Sequence, residues 1–268
     1  MANKQYMNAL SGRAIWLILT ATLLVVVAFV VSEPIPQDPA YHAFVDTRLL
    51  LHIPNCLNVM SNLPFLLVGA WGLGYVHQHG GEVCMPQLRA AYVVFFSGVM
   101  LTAPGSAYYH LAPGNVTLIW DRLPMTVAFA GVFAIIIGEY VSVRAARAML
   151  LPLLIICVSS VVYWAVTEAA GSGDLRPYAV VQFLPMLLIP IILMMYRSRF
   201  ASSKYFWLMI GFYLVAKVFE HFDAAVYGVG SWVSGHTLKH ICASLAPAIL
   251  LYALMLRNSA TPELTADD

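Results

Sequence analysis

The sequence predicts an all-α, polytopic transmembrane bundle of eight helices, and three observations lead there. The 268 residues are 61% hydrophobic and 10% charged, with a mean hydropathy of +0.79, which leaves too few charges to cover a water-soluble domain. Apolar runs recur along the whole chain, each near the ~20 residues that cross a bilayer. Between them lie short connections, with no repeat and no stretch long enough for a separate soluble domain.

The runs fall at about 13–32, 55–77, 88–110, 118–139, 148–168, 176–196, 204–222 and 236–257. The first follows Lys4 and Arg13, as a signal peptide would. Its apolar stretch from Ala14 to Val31 exceeds a usual h-region, however, and Ser32-Glu33-Pro34 has no small-x-small cleavage pattern, so it reads as an uncleaved helix. Residues 33–54 form the longest loop, in which Pro34, Pro36 and Pro39 favour extended backbone. The second run opens on Asn55 and Asn58, the third closes on His110, and the fourth opens with Asp121. The fifth ends at Glu168, the sixth starts at Arg176, the seventh ends in Glu220, His221 and Asp223, and the eighth opens with His236 and His240. The chain therefore divides into an N-terminal transmembrane helix and outer loop (1–54), a seven-helix domain (55–257) and an acidic tail (258–268) expected to be disordered.

Lysine and arginine set the expected orientation. With the N-terminus inside, the inner connections carry Lys4, Arg13, Arg89, Arg144, Arg147, Arg197, Arg199, Lys204 and Arg257, against Arg48, Arg122 and Arg176 outside. Both termini are then cytoplasmic. His52, Asn55, Asn58, His110, Asp121, Glu168, Glu220, His221, Asp223, His236 and His240 all fall toward the outer face, implying a pocket that opens outward. One crossing more or fewer between the third and eighth helices would part the histidines. The short loops suit a bacterial inner membrane. Cys56, Cys84, Cys157 and Cys242 have no Cys-x-x-Cys spacing and read as small apolar packing residues.

The chemistry is concentrated in Gly105-Ser106-Ala107-Tyr108-Tyr109-His110 and Gly235-His236-Thr237-Leu238-Lys239-His240. Imidazoles are rare at membrane depth and tend to be functional there. His236 and His240, four apart, share a helix face, and His110 completes the three-ligand set of a catalytic zinc with one open position. Water in that position has a pKa near ~7 and attacks a carbonyl. Asp121, in Trp120-Asp121-Arg122-Leu123-Pro124-Met125, is the candidate proton carrier. Ser106 shares a helix face with His110 and is the candidate donor to a developing oxyanion. The bland readings are packing histidines, an Asp121 that caps its helix or pairs with Arg122, and a Ser106 that lets helices approach beside Gly105. Glu220 and His221 either orient a ligand imidazole or, for Glu220, pair with Lys217. Glu168, Asp174 and Arg176 carry no assigned role, and His42, His77 and His79 read as solvated loop residues.

Ser61-Asn62-Leu63-Pro64-Phe65, Gly105-Ser106 to His110, Asp121-Arg122-Leu123-Pro124-Met125 and His236 to His240 resemble the signature blocks of the alkaline ceramidase family, over roughly residues 52–257. That family belongs to a superfamily of seven-helix zinc-dependent membrane hydrolases that includes the progestin and adiponectin receptor relatives. The resemblance implies that His110, His236 and His240 bind Zn2+ and that Asp121 and Ser106 assist. The implied reaction is hydrolysis of the N-acyl bond of a ceramide-like lipid to a fatty acid and a long-chain amine. The first run is then an addition to a seven-helix, ceramidase-like core. Eukaryotic members bind calcium through an acid-rich segment with a glutamate near the position of Asn55, a departure that weighs against calcium here.

Other readings stay open on the residues alone. Another N-acyl or ester lipid would use the same site, and so would a seven-helix lipid receptor that binds without turnover. A retinal protein wants a mid-membrane lysine in its last helix, whereas Lys239 lies near the outer end. A bis-histidine haem wants histidines paired across the haem rather than three on one face.

Overall fold

The computed structural model describes residues 12–198, 200 and 203–259. Ten α-helices follow in order among the described residues: α1 (Gly12–Val31), α2 (Cys56–Met60), α3 (Leu63–Val83), α4 (Arg89–Leu111), α5 (Asn115–Ile136), α6 (Val143–Ala169), α7 (Arg176–Met195), α8 (Ser203–His221), α9 (Asp223–Gly228) and α10 (Gly235–Ser259). No strand occurs among the described residues, so the all-α bundle expected from the apolar runs is the architecture found. Lys4, Arg199 and the tail from residue 260 lie outside the described residues.

Six spans are long and apolar enough to cross a membrane: Cys56–Val83, Pro86–Leu111, Asn115–Val141, Val143–Ala169, Arg176–Met195 and Gly235–Arg257. The most apolar, Val143–Ala169, has a mean hydropathy of 2.3 over its best window yet buries only 22% of that window inside the protein. Its apolar surface faces outward, which hydrocarbon favours and water does not. The chain is a membrane protein. The other two expected crossings also fold as helices, but α8 carries Lys204, Lys217 and Glu220, and the described apolar stretch of α1 is Leu19–Val31.

Three boundaries differ from the sequence reading, each for a local reason. The second run is not continuous: α2 ends at Met60 and α3 starts at Leu63, with Pro64 in the first turn, where its missing N–H costs nothing. Asp121 does not open its helix, because α5 starts six residues earlier at Asn115. α6 starts at Val143, where the Ser142 hydroxyl accepts a hydrogen bond from the Ala145 amide.

Helices α4 and α5 pack with their backbones close together. A Cβ on Gly105 would overlap the Trp120 carbonyl oxygen, and one on Gly131 would stand 2.6 Å from the Phe95 amide nitrogen. Small residues at such crossings are how membrane helices gain van der Waals contact without a hydrophobic driving force between them. At the end of the bundle carrying Val83 and Arg257, Arg257 pairs with Glu139 at 2.8 Å and reaches the Tyr92 hydroxyl at 3.2 Å. Near the other end, Arg176 donates to the Ser32 carbonyl at 2.6 Å and anchors α1. The same guanidinium holds the Asp174 carboxyl below the usual carboxylate range.

Gly105→Val should destabilise the protein by roughly 1–3 kcal/mol by forcing α4 off α5. Thermal unfolding in detergent checks this, with an unshifted midpoint as the contrary result.

Candidate metal centre

The end of α4 and the start of α10 carry the three histidines, and helix geometry brings them to one point. His110 lies in the last turn of α4, while His236 and His240 lie one turn apart at the head of α10. Ring centroids are 4.9 Å apart for His110 and His236, 4.9 Å for His110 and His240, and 4.8 Å for His236 and His240. One nitrogen from each lies within 4.8 Å of the others, and the residues are 1%, 5% and 4% exposed. His110 Nδ1 and His236 Nε2 are buried without a hydrogen-bond partner. Stranding two ring nitrogens this way is costly unless something ligates them.

The third ring shows how such a site is held. His240 Nδ1 is 2.7 Å from Ser61 Oγ, whose own hydrogen is directed to the Asn58 carbonyl at 3.0 Å. The hydroxyl oxygen therefore accepts from His240 Nδ1–H, which leaves Nε2 with its lone pair for a metal. Ser61 sits in the break between α2 and α3, so the interruption of that span delivers the hydroxyl to the imidazole.

A belt of short polar side chains fixes the two helix ends relative to each other. Asn55 Nδ2 donates to the His110 carbonyl at 2.8 Å, Thr237 Oγ1 donates to Asn58 Oδ1 at 2.8 Å, and Asn62 Nδ2 donates to the Asn58 carbonyl at 2.8 Å. Asp223 Oδ1 accepts the His236 amide at 2.7 Å and Ser234 Oγ accepts the Thr237 amide at 3.1 Å. These satisfy donors that the first turn of α10 would otherwise leave open. Phe44, from the loop after α1, closes over the cluster with its ring centroid 4.6 Å from His110 and 4.5 Å from His236.

Asp121 and Ser106 face the same space as His240. All three line a cavity of about 180 Å³, whose wall continues through Phe65, Phe95, Val99, Ile136 and Phe206. Ser106 and Asp121 are both buried, at 2% and 8% exposure. Neither bland reading of Asp121 survives: it lies well inside α5, and Arg122 turns away to stack on Trp164 at 4.2 Å and donate to Gln37 Oε1 at 2.7 Å. For the neighbours Gly105 and Ser106 the roles divide, since Gly105 makes the helix contact and Ser106 lines the cavity.

The reading of His42, His77 and His79 as solvated loop residues needs correction. His42 is not a solvated loop residue: Nδ1 meets the Tyr109 hydroxyl at 2.9 Å and Nε2 meets Asn115 Oδ1 at 2.8 Å. These bonds tie the loop after α1 to the helix ends beside His110. Of the two alternatives for Glu220 the ion pair is the one found: Glu220 binds Lys217, and Lys239 as well, while His221 is exposed. The sequence reading gave no role to Ser61, Asn58, Asp223 or Phe44, although Ser61 belongs to one of the motifs above. His77 and His79 are not loop residues either, since both lie in α3; His77 is exposed, whereas His79 is half-buried and stacks on Tyr75. Among the described residues all four cysteines are free. The chain matches no model of a known protein family, and no curated protein matches it.

The donor set fits a divalent transition metal: three buried imidazoles, two with unpartnered nitrogens and one oriented by a hydroxyl. We expect one such ion per chain, lost in His236→Ala. Ser61→Ala should keep the ion but weaken its affinity by about 10–100-fold. Competition with a chromophoric chelator measures both, and unchanged affinity in Ser61→Ala would remove that residue from the site.

Proposed function

We propose that the protein is a zinc-dependent intramembrane amidase that cleaves the N-acyl bond of ceramide-like lipids. The observation that carries this is the composition of one cavity: His240, Asp121 and Ser106 lie on the same wall system as Phe65, Phe95, Val99 and Phe206. A lipid needs both parts, an apolar channel for its chain and polar groups at the bond to be cut. The resemblance of the Ser61, Ser106, Asp121 and His236 motifs to those of alkaline ceramidases supports amide rather than other chemistry.

Zinc held by His110, His236 and His240 would supply Lewis acidity that brings a water to a pKa near ~7. The remaining work falls to the chain itself. Apolar side chains along the cavity hold the acyl chain and exclude bulk water, which fixes the amide at the polar end. Ser106 donates its hydroxyl hydrogen to the carbonyl oxygen as negative charge develops there. Asp121 accepts the proton of the attacking water and delivers it to the departing nitrogen. The products are a fatty acid and a long-chain amine. Arg89, Arg144, Arg147, Arg197 and Arg257 belong to the connections away from the histidines, while Arg48 and Arg176 belong to the histidine end. That bias supports cytoplasmic termini and a site on the outer side of a bacterial inner membrane.

Zinc-loaded protein in detergent should release fatty acid from a long-chain ceramide, and Asp121→Asn should keep its metal while losing turnover by a factor of about 10²–10⁴. Mass spectrometry of released acid and metal analysis on the same samples check both halves. Turnover retained in Asp121→Asn would refute the proton-carrier role, and release from ester analogues alone would overturn the amidase reading.

A further inference from the structure

The cavity gives a lipid chain a way to the histidines but gives a metal ion none. Of the three imidazoles His240 lines that cavity, whose wall runs on through Phe65, Phe95, Val99 and Phe206. A hydrated divalent ion would shed its water along such a wall and find no polar partner in exchange, which is prohibitively costly. His110 and His236 lie instead against the Phe44 ring, with centroids 4.6 and 4.5 Å away. The approach left to an ion is the one that Phe44 covers.

That cover is a single thickness of chain. Within residues 38–45 only His42 and Phe44 turn inward and are half-buried; the others are exposed. Both ends are fastened to the bundle. The Gln37 amide donates to Glu168 Oε2 at 3.1 Å and its side-chain oxygen accepts from Arg122 at 2.7 Å, while Arg48 donates to the Trp232 carbonyl at 2.8 Å. Between these points His42 supplies the polar hold. Asn115 Nδ2 donates to Glu168 Oε1 at 3.1 Å, so Asn115 Oδ1 accepts from His42 Nε2–H and leaves His42 Nδ1 to accept the Tyr109 hydroxyl. Two neutral side-chain hydrogen bonds and the packing of one ring are a hold that transient local opening can break.

We propose that residues 38–45 are a strap that opens to pass a hydrated divalent cation between water and the three histidines, a route separate from the lipid's. This rests on the metal centre and holds whether or not a lipid amide is cleaved. The strap gives the ion no ligand, so it acts on rates and leaves the equilibrium alone. Closed, it slows uptake and release by the same factor, because a state that binds the ion no better shifts no population. A ring that only packs the imidazoles in place behaves differently. Removing it speeds release, leaves uptake as it was, and weakens affinity in proportion.

Zinc itself is the probe. Stopped-flow uptake of zinc by the full-length protein in detergent, and its release to a chromophoric chelator, give the two rates, and equilibrium competition gives the affinity. Phe44→Ala and His42→Ala should each speed both uptake and release on the order of tenfold, the effect on a barrier of one lost ring contact or hydrogen bond. Affinity should stay within about twofold of wild type in both. His42 bonds to Tyr109 and Asn115 rather than to any of the three imidazoles, so its variant loosens the strap without touching the site. Uptake unchanged in both variants would overturn the proposal, as would faster release matched by an equal loss of affinity, which would make Phe44 a packing residue. Either result beside tight zinc binding would remove the strap and leave the metal centre standing. Wild-type protein that binds no zinc would remove both.

Discussion

The structure depends on holding three buried imidazoles together at the junction of α4 and α10. These helices are far apart in sequence, and nothing within either positions its histidines against the other. The connection is polar and short: Asn55 grips the His110 carbonyl, Asn58 holds Thr237, and Ser61 holds His240. Inside a membrane-embedded protein each such group must find an internal partner, since hydrocarbon offers none. The belt around α2 therefore pairs its donors internally while fixing the geometry of the site, with only Asn62 Oδ1 among its side-chain oxygens left buried without a partner.

The remaining packing follows from that junction. Gly105 lets α4 lie against the Trp120 carbonyl, which brings Ser106 and Asp121 to one cavity wall. The loop after α1 is tied down by His42 on Tyr109 and Asn115, and by Gln37 on Arg122 and Glu168. Phe44 is thereby set against two of the histidines. The polar contacts of the site thus gather at the histidine end of the bundle, opposite the Arg257–Glu139 pair, and the cavity continues from them between apolar walls.

The bundle and the histidines were legible in the sequence because their signals are periodic or rare. Apolar runs of membrane length suit little besides a bilayer, and His236 with His240 is a local pattern on one helix face. The parts that were not legible depend on contacts between distant segments. Ser61 reads as an ordinary hydroxyl until the break between α2 and α3 turns it to His240. His42 reads as a loop residue until Tyr109 and Asn115 approach it. Asp121 seemed to open its helix because the polar residues Asn115 and Thr117 hid the true start of α5, which begins where Gly114 ends the turn. Lys239 carried no distinct signal, since its meaning lies in a shared Glu220 on another helix.

The central claim is that His110, His236 and His240 hold one metal ion with a position left open. X-ray absorption at the zinc edge of the metal-loaded protein reads that coordination directly. The account requires three imidazole nitrogens at about 2.0–2.1 Å and one further light-atom ligand. A shell containing sulfur, or only one or two imidazoles, would contradict it.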